Sequence, residues 1–254
     1  MKKFRGVFLK NEREIGLLKE ANRIVAEILD ALGEAVRPGV RTLEFEEIAT
    51  RICERYQVLP AFKGYQGFPF ALCCSVNEEI VHGFPSERTL NEGDIVSFDM
   101  GVVYNGFYGD SARTFPVGRV TPETRRLLDV TRAALDRGIA AARPGNDLYD
   151  ISRSIQQYVE GEGFAVVKRF VGHGIGCKLH EKPEIPNFVP KRSQPLPLKP
   201  GMVLAIEPMV TAGTDEVVIL EDRWTAVPKD RSLSAHFEHT VAVTSDEAEI
   251  LSAR

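Results

Sequence analysis

The sequence lacks the features that mark membrane proteins, secreted proteins and nucleic-acid-binding proteins. None of its apolar runs approaches the roughly 18 residues that a membrane-spanning helix needs. Its amino-terminal stretch, MKKFRGVFLKNERE, contains no apolar segment of signal-peptide length. The 32 basic and 36 acidic residues are mixed along the chain, with a net charge of −4 and no basic stripe. We therefore expect a cytoplasmic protein whose principal partner is neither a membrane nor a nucleic acid.

Cysteine and histidine are also scarce. The four cysteines form no CxxC pair, and no zinc-finger spacing occurs anywhere. A chain of 254 residues with 43% hydrophobic residues can bury a large core without disulfides. We expect reduced, mostly buried thiols, and the five histidines are few enough to be considered individually.

The most informative stretch is residues 94–115, DIVSFDMGVVYNGFYGDSARTF. Its central pair, Asn105-Gly106, predicts a two-residue hairpin turn, because both positions of such a turn need positive φ. In the strand before the turn the apolar residues alternate, which places them on one face and Asp99 on the other.

The hairpin also predicts which residues face each other. If Tyr104 pairs with Phe107, Asp99 and Asp110 become diagonal neighbours on one face, roughly 7–8 Å apart at the backbone. Two carboxylates aimed together repel each other unless a cation or a shared proton lies between them. Two solvated acids on an open sheet face are the alternative that this stretch alone leaves open.

The remaining pattern predicts an α+β protein built from two similar halves. Arg-Pro-Gly follows the first helix at residues 37–39 and recurs at residues 143–145. We expect one domain spanning residues 1–254, with an internal duplication of about 11–120 and 121–250. Helices are predicted at 11–36 (capped by Asn11), 43–56, 121–142 and about 148–159, and strands at 71–76, 165–171, 202–207, 217–220 and 235–243.

The second half contains further candidate ligands. His173 and His180 share the glycine-rich segment FVGHGIGCKLHEKP. A single histidine is more often structural than a ligand, but two in one glycine-rich loop reduce that bias. Glu207 ends an apolar run, where an unpaired carboxylate would be costly to bury, although an edge-strand glutamate facing water is the alternative.

The segment AHFEHTVAV places Glu238 at the centre of a predicted strand. His236 and His239 are weaker candidates. Because His239 lies on the apolar face, we expect it to be a core residue or to lie behind the ligands. Three or four carboxylates with one histidine suit Mn, Fe, Co or Zn in a two-metal site. Two ions about 3.5–4 Å apart can share a water molecule and lower its pKa, which predicts metal-assisted hydrolysis.

These motifs resemble those of one known family. NEEIVHGFP, SFDMG, NGFYGDSARTF, VGHGIG, HEKP, IEPMV and FEHTVAV occur in the order and approximate spacing of the type I methionine aminopeptidases. The resemblance covers residues from about 10 to 252. It implies the pita-bread fold, in which pseudo-two-fold duplicated halves form a curved antiparallel sheet flanked by helices.

The resemblance also implies roles for individual residues. It makes Asp110 and Glu238 ligands that bridge two divalent ions (Co, Mn, Fe or Zn), with Asp99 on one ion and His173 and Glu207 on the other. Beside the bridging water, Glu207 could accept the proton of that water as general base. His82 would contact the scissile amide or leaving amine, and His180 the substrate carbonyl. The full implied metal-ligand set is Asp99, Asp110, His173, Glu207 and Glu238. The implied methionine pocket is Tyr65, Phe68, Cys73, His82, Leu179 and Trp224.

The activity implied is removal of the initiator methionine from nascent proteins and peptides, with a metal-bridging water as nucleophile. A monomer with a transient ribosome contact is expected. Two alternatives remain: a catalytically inactive binding module of the same fold, and a peptidase of this fold with a different N-terminal specificity. Leu179 stands where an aromatic residue is expected, and Phe62 where a smaller one is expected.

Overall fold

The structure is a computed structural model that describes residues 2–192 and 194–253. Its helices are α1 (Glu12–Ala35), α2 (Thr42–Tyr56), α3 (Pro122–Ala141) and α4 (Leu148–Gly161). Its strands are β1 (Lys2–Phe4), β2 (Val7–Leu9), β3 (Leu59–Pro60), β4 (Leu72–Val76), β5 (Ile95–Tyr104), β6 (Phe107–Pro116), β7 (Ala165–Val166), β8 (Gly172–Gly174), β9 (Glu181–Ile185), β10 (Val203–Ile206), β11 (Met209–Thr211), β12 (Val217–Ile219), β13 (Ala226–Pro228), β14 (Ser234–His236), β15 (His239–Val243) and β16 (Ala248–Ile250).

Helices and antiparallel strands together confirm the α+β prediction. Every strand pairing in the described part of the chain is antiparallel. The first half contains the sheet β3-β5-β4 with β6 beside β5, and the second half contains the sheets β16-β15-β10-β8-β9 and β14-β11-β7. The internal duplication and the single-domain boundaries stay predictions. Within the described ranges, no helix combines the length and apolarity that crossing a membrane requires.

Helix α1 packs against the β5–β6 hairpin and thereby supports the site. It begins as predicted, with a capping box in which Asn11 Oδ1 accepts from the Glu14 N–H (3.0 Å) and Glu14 Oε2 accepts from the Asn11 N–H (2.9 Å). Its contact with β6 is close at Gly109, where a Cβ would lie 2.7 Å from the backbone of Ala21. Only glycine allows helix and strand to approach this far.

The β5–β6 hairpin has the predicted turn and register. Asn105 (φ 47°) and Gly106 (φ 79°) form the turn, and Tyr104 pairs with Phe107. Asp110 faces Gly101, two positions from Asp99 on the same strand face. The apolar face of β5 is buried under α1 and α2, so the register fixes the two aspartates on the opposite face.

The predicted strand at 235–243 is wrong in one respect, because it is broken at Phe237 and Glu238. β14 pairs with β11, whereas β15 pairs with β10, and Pro208 stands between β10 and β11. At the break, the Glu238 N–H donates to Ala112 O on β6 (2.8 Å). Glu238 therefore lies between two strands, where the second half meets the first. The predicted strand at 165–171 is likewise shorter, with only Ala165–Val166 extended before β8.

Buried hydroxyl groups join the two halves at this meeting line, which we call the seam: β6 on one side and residues 236–240 on the other. They satisfy peptide groups where the regular ladder is interrupted, which avoids unpaired buried backbone groups. The hydrogen bonds are Ser111 Oγ to Glu238 O (2.6 Å), Thr114 Oγ1 to His236 O (2.8 Å), the His236 N–H to Thr114 Oγ1 (2.9 Å) and Thr240 Oγ1 to Asp110 O (2.8 Å).

Candidate metal centre and adjoining cavity

A cavity of about 310 Å³ lies where the two halves meet, and every site residue predicted from the sequence lines it. It has a charged end, formed by carboxylates and an imidazole, and an apolar end, formed by aromatic, sulfur-bearing and aliphatic side chains. The predicted residues on its wall are Tyr65, Phe68, Cys73, His82, Asp99, Asp110, His173, Leu179, His180, Glu207, Trp224 and Glu238.

The charged end gathers side chains from separate parts of the chain. Asp99 and Asp110 extend from the hairpin, His173 from β8, Glu207 from the end of β10 and Glu238 from the break between β14 and β15. Ligand atoms of Asp110, His173 and Glu238 all lie within 4.8 Å of one another. His173 Nε2 lies 3.7 Å from Asp110 Oδ2 and 3.6 Å from Glu207 Oε1.

The hydrogen bonding of His173 determines which of its nitrogens faces the acids as an acceptor. Its Nδ1 lies 3.1 Å from the carbonyl oxygen of Gly174, and a carbonyl can only accept, so Nδ1 donates. Burial lowers the pKa of His173 to about 3, and the ring is therefore neutral at pH 7. The bare lone pair of Nε2 then faces Asp110 and Glu207, which are also acceptors when ionised. Such an arrangement needs a cation or additional protons.

The carboxyl groups behave as a crowded buried set. Burial raises the pKa of Asp99 to about 7 and that of Glu207 to about 8. For Asp110 and Glu238, burial followed by repulsion from the neighbouring acids raises the pKa well above its usual range. Without a cation, these groups cannot all be ionised at neutral pH.

Unpartnered oxygen atoms show that a divalent cation fits this site. Asp99 Oδ1, Asp110 Oδ1 and Glu238 Oε1 are buried and have no hydrogen-bond partner among the described residues. Leaving a buried acceptor unsatisfied costs about 1–3 kcal/mol, and more for a charged one. Carboxylate oxygens with one imidazole nitrogen suit divalent Mn, Fe, Co or Zn, and the fit is therefore chemical as well as geometric.

The apolar end is a cluster of rings closed by Leu179, which is only 3% exposed. Phe68 packs edge-on against Trp224, with ring centroids 5.1 Å apart. Burial raises the pKa of Cys73 well above its usual range, so its thiol stays neutral. Phe62 belongs to the same cluster and also lines the cavity. Leu179 is smaller than the aromatic residue expected at its position, and the larger Phe62 in the same cluster supplies an aromatic ring instead.

His82 and His180 lie between the two ends of the cavity. His82 has a positive φ of 62°, and a Cβ on the following Gly83 would lie 2.5 Å from a backbone oxygen, so the turn that aims His82 is sterically constrained. Burial lowers the pKa of His82 to about 4, which makes it neutral. His180 is exposed at the cavity, and its Nδ1 lies 2.8 Å from Tyr65 Oη.

Sequence reasoning missed some residues of the cavity and underrated one nearby. The buried His236 was considered only a weak candidate, but its Nε2 lies 3.7 Å from Glu207 Oε2. His239, by contrast, bonds Ser252 Oγ through Nδ1 (2.8 Å), as a core residue would. The wall residues missed are Gln66, Val81, Arg169, Phe170, Val171 and Met209. Their closeness in sequence to Tyr65, His82, His173 and Glu207 is the signal that could have found them.

Comparisons with known proteins match the chain to one family. The model of a family described as metallopeptidase family M24 matches residues 16–245. Methionine aminopeptidase 1 of Bacillus subtilis (strain 168) is 49% identical over 245 residues, which are 96% of this chain and 98% of that protein.

Solved structures give the same result for the fold. The methionine aminopeptidase of Thermotoga maritima superposes with a TM-score of 0.94 at 45% identity, over 98% of this chain and 100% of that one. The prolidase from Pyrococcus furiosus has a TM-score of 0.79 at 23% identity, over 97% of this chain and 65% of that one, a likeness of fold alone. The predicted pita-bread fold is thereby confirmed.

Proposed function

Because the chain belongs to metallopeptidase family M24, we propose that it is a metal-dependent aminopeptidase that removes methionine from the N-termini of nascent proteins and peptides. The observation that carries this proposal is the joining, in one cavity, of an acid-rich charged end to a chamber of aromatic rings, a thiol and leucine. The similarity to proteins named methionine aminopeptidase over nearly the whole chain supports the same assignment.

Membership of the family implies a divalent metal ion, and we propose that two ions bind. Asp99, Asp110, His173, Glu207 and Glu238 would hold them, because two dications balance four carboxylates better than one does. When bound, divalent ions supply a lowered pKa for the attacking water and polarisation of the scissile carbonyl. Mn, Fe, Co and Zn all suit this donor set.

The chain's own side chains then take the proton and stabilise the developing charge. Glu207 is the general base, since its carboxylate lies within the charged end and can accept the proton of the attacking water. With Nδ1 of His180 engaged by Tyr65, Nε2 is the nitrogen left to donate to the substrate carbonyl oxygen as it becomes negative. The neutral His82 would contact the scissile amide or the leaving amine.

The apolar end would receive the methionine side chain. Phe68, Trp224 and Tyr65 offer ring edges and faces to a thioether, whose sulfur makes favourable contacts with aromatic rings. Leu179 and Cys73 complete a wall without a charged group. A volume of about 310 Å³ suits one side chain together with the adjoining peptide bond.

The proposed partners follow from this substrate. A nascent polypeptide presents its initiator methionine at the ribosome, so we propose that a cytoplasmic monomer with a transient ribosome contact meets it there. Peptides with an N-terminal methionine would be substrates in isolation.

Release of free methionine from Met-Ala-Xaa peptides tests the proposal. We expect the metal-loaded protein to release it, a chelator to abolish the reaction, and Mn or Co to restore it. Cleavage of Xaa-Pro peptides but not Met-Ala peptides would replace the proposed specificity with another. No cleavage with any divalent metal would point to an inactive binding module.

One substitution tests the role given to His180. The variant His180→Ala should bind metal as the wild type does. It should lose most of kcat, because no N–H then donates a hydrogen bond to the substrate carbonyl oxygen as negative charge develops on it. Metal affinity is measured by calorimetry and turnover by methionine release. Normal turnover of this variant would refute the role.

A further inference from the structure

Glu207 lies between two imidazoles, one on each carboxylate oxygen. Oε1 is 3.6 Å from His173 Nε2, and Oε2 is 3.7 Å from His236 Nε2. The first imidazole cannot donate to Glu207, because its only proton is on Nδ1, which bonds Gly174 O. The two oxygens of Glu207 therefore have different surroundings, with a bare lone pair facing Oε1 and an uncommitted nitrogen facing Oε2.

Backbone hydrogen bonds across the seam fix the position of His236. Its N–H donates to Thr114 Oγ1 (2.9 Å), and its carbonyl accepts from the same hydroxyl (2.8 Å). Met209 pairs with it across β11 and β14. The side chain is 1% exposed, and Nε2 has no hydrogen-bond partner among the described residues. A buried nitrogen left in this way is destabilising unless a ligand or a bound state supplies its partner.

We propose that His236 is a positioning residue of the metal centre: its Nε2–H donates to Glu207 Oε2 and so directs Oε1 toward the divalent ion on the His173 side. The inference rests on the proposed function, but it concerns how metal is held rather than which peptide is cleaved. Carboxylates that bind metals commonly receive such a hydrogen bond, and it fixes which oxygen ligates.

The geometry requires only a small adjustment. A separation of 3.7 Å exceeds a hydrogen bond, but a movement of about 0.5 Å by the Glu207 carboxylate brings the atoms into range. Direct ligation by His236 is the competing role. It is less well supported, because all five proposed ligands line the cavity and His236 does not.

Three variants separate positioning from packing. His236→Leu removes the donor, and His236→Gln keeps an N–H donor on a neutral side chain. His239→Leu is the matched control, since His239 is satisfied by Ser252 and does not line the cavity. Calorimetric titration of metal-free protein with Mn or Co reports affinity without any turnover.

We expect His236→Leu to weaken the binding of one ion by about 10–100-fold, the usual effect of losing a residue that orients a ligand. His236→Gln should recover most of that affinity, and His239→Leu should match the wild type. Wild-type affinity in His236→Leu would overturn the proposal. Similar losses in all three variants would also overturn it, since they would indicate a role in packing alone.

Nitrogen NMR of the zinc-loaded wild-type protein, labelled in its histidines, needs no substitution that could unfold the chain. We expect the signal of His236 Nε2, assigned with His236→Gln, to be that of a protonated, hydrogen-bonded nitrogen. A metal-coordinated Nε2 would overturn positioning in favour of ligation. A different result would contradict the proposed function alone: metal that binds as described here, in a protein that releases no methionine.

Discussion

Replacing Lys10 by methionine should destabilise the protein far more than the loss of an exposed lysine would. Lys10 Nζ lies 2.6 Å from Glu181 Oε2, and the two side chains are only 1% and 3% exposed. Glu181 Oε1 accepts in addition from the N–H groups of Cys177 and Lys178, at 2.9 and 3.3 Å. The pair therefore joins the amino-terminal segment to the loop that carries His180.

The magnitude follows from the burial of this pair. Removing one partner leaves an uncompensated buried charge, so Lys10→Met and Glu181→Gln should each cost about 3–5 kcal/mol. The double variant removes both charges and keeps an amide oxygen to accept from the loop, and we expect it to be more stable than either single variant. Glu181→Ala loses that acceptor as well and should lower kcat, because His180 is no longer held.

Urea denaturation of the metal-free protein measures these differences, and methionine release measures kcat. Lys229→Met is the control, since the Lys229–Glu216 pair is exposed on both sides and should contribute little. If the loss in the double variant equalled the sum of the two single losses, Lys10 and Glu181 would be independent rather than a buried pair, because the effects of independent sites add.

Three further predictions concern the site and the seam. Since burial raises the pKa of Asp99 to about 7 and that of Glu207 to about 8, these carboxyls carry protons below those values and must lose them to bind a cation. Metal affinity should therefore rise with pH through this range with release of protons, and calorimetry in buffers of different ionisation enthalpy that finds no release would contradict this. Leu179→Phe should raise KM for methionyl peptides about tenfold, because it overpacks a chamber that already contains Phe62. Adding Phe62→Ala to this variant should reverse the change. An unchanged KM in the single variant would show that the two side chains do not share the chamber. Thr114→Val should cost about 1–3 kcal/mol in urea denaturation, because it leaves buried peptide groups of the opposite half unpaired, and wild-type stability would mean that this hydroxyl does not hold the seam.

Local signals in the sequence predicted the parts of the site that local structure determines. Asn105-Gly106 fixes the turn, the turn fixes the register, and the register brings Asp99 and Asp110 to one face. Glu207 was recognisable because a carboxylate ending an apolar strand needs a partner wherever that strand lies. These inferences hold without knowledge of the tertiary structure.

Other features depend on contacts between distant segments and left no local signal. The strand break at Glu238 occurs because its N–H bonds β6 in the other half. The importance of His236 depends on the same seam, which aims its ring at Glu207. Lys10 and Glu181 stand far apart in the sequence, so their pairing was not predictable from either segment.

Every role proposed for the cavity depends on divalent metal held by the carboxylates and the imidazole at its charged end. Anomalous diffraction from crystals grown with Mn or Co tests it most directly. We expect two peaks enclosed by Asp99, Asp110, His173, Glu207 and Glu238. Peaks elsewhere in the molecule, with none at this site in metal-loaded protein that releases methionine, would contradict it.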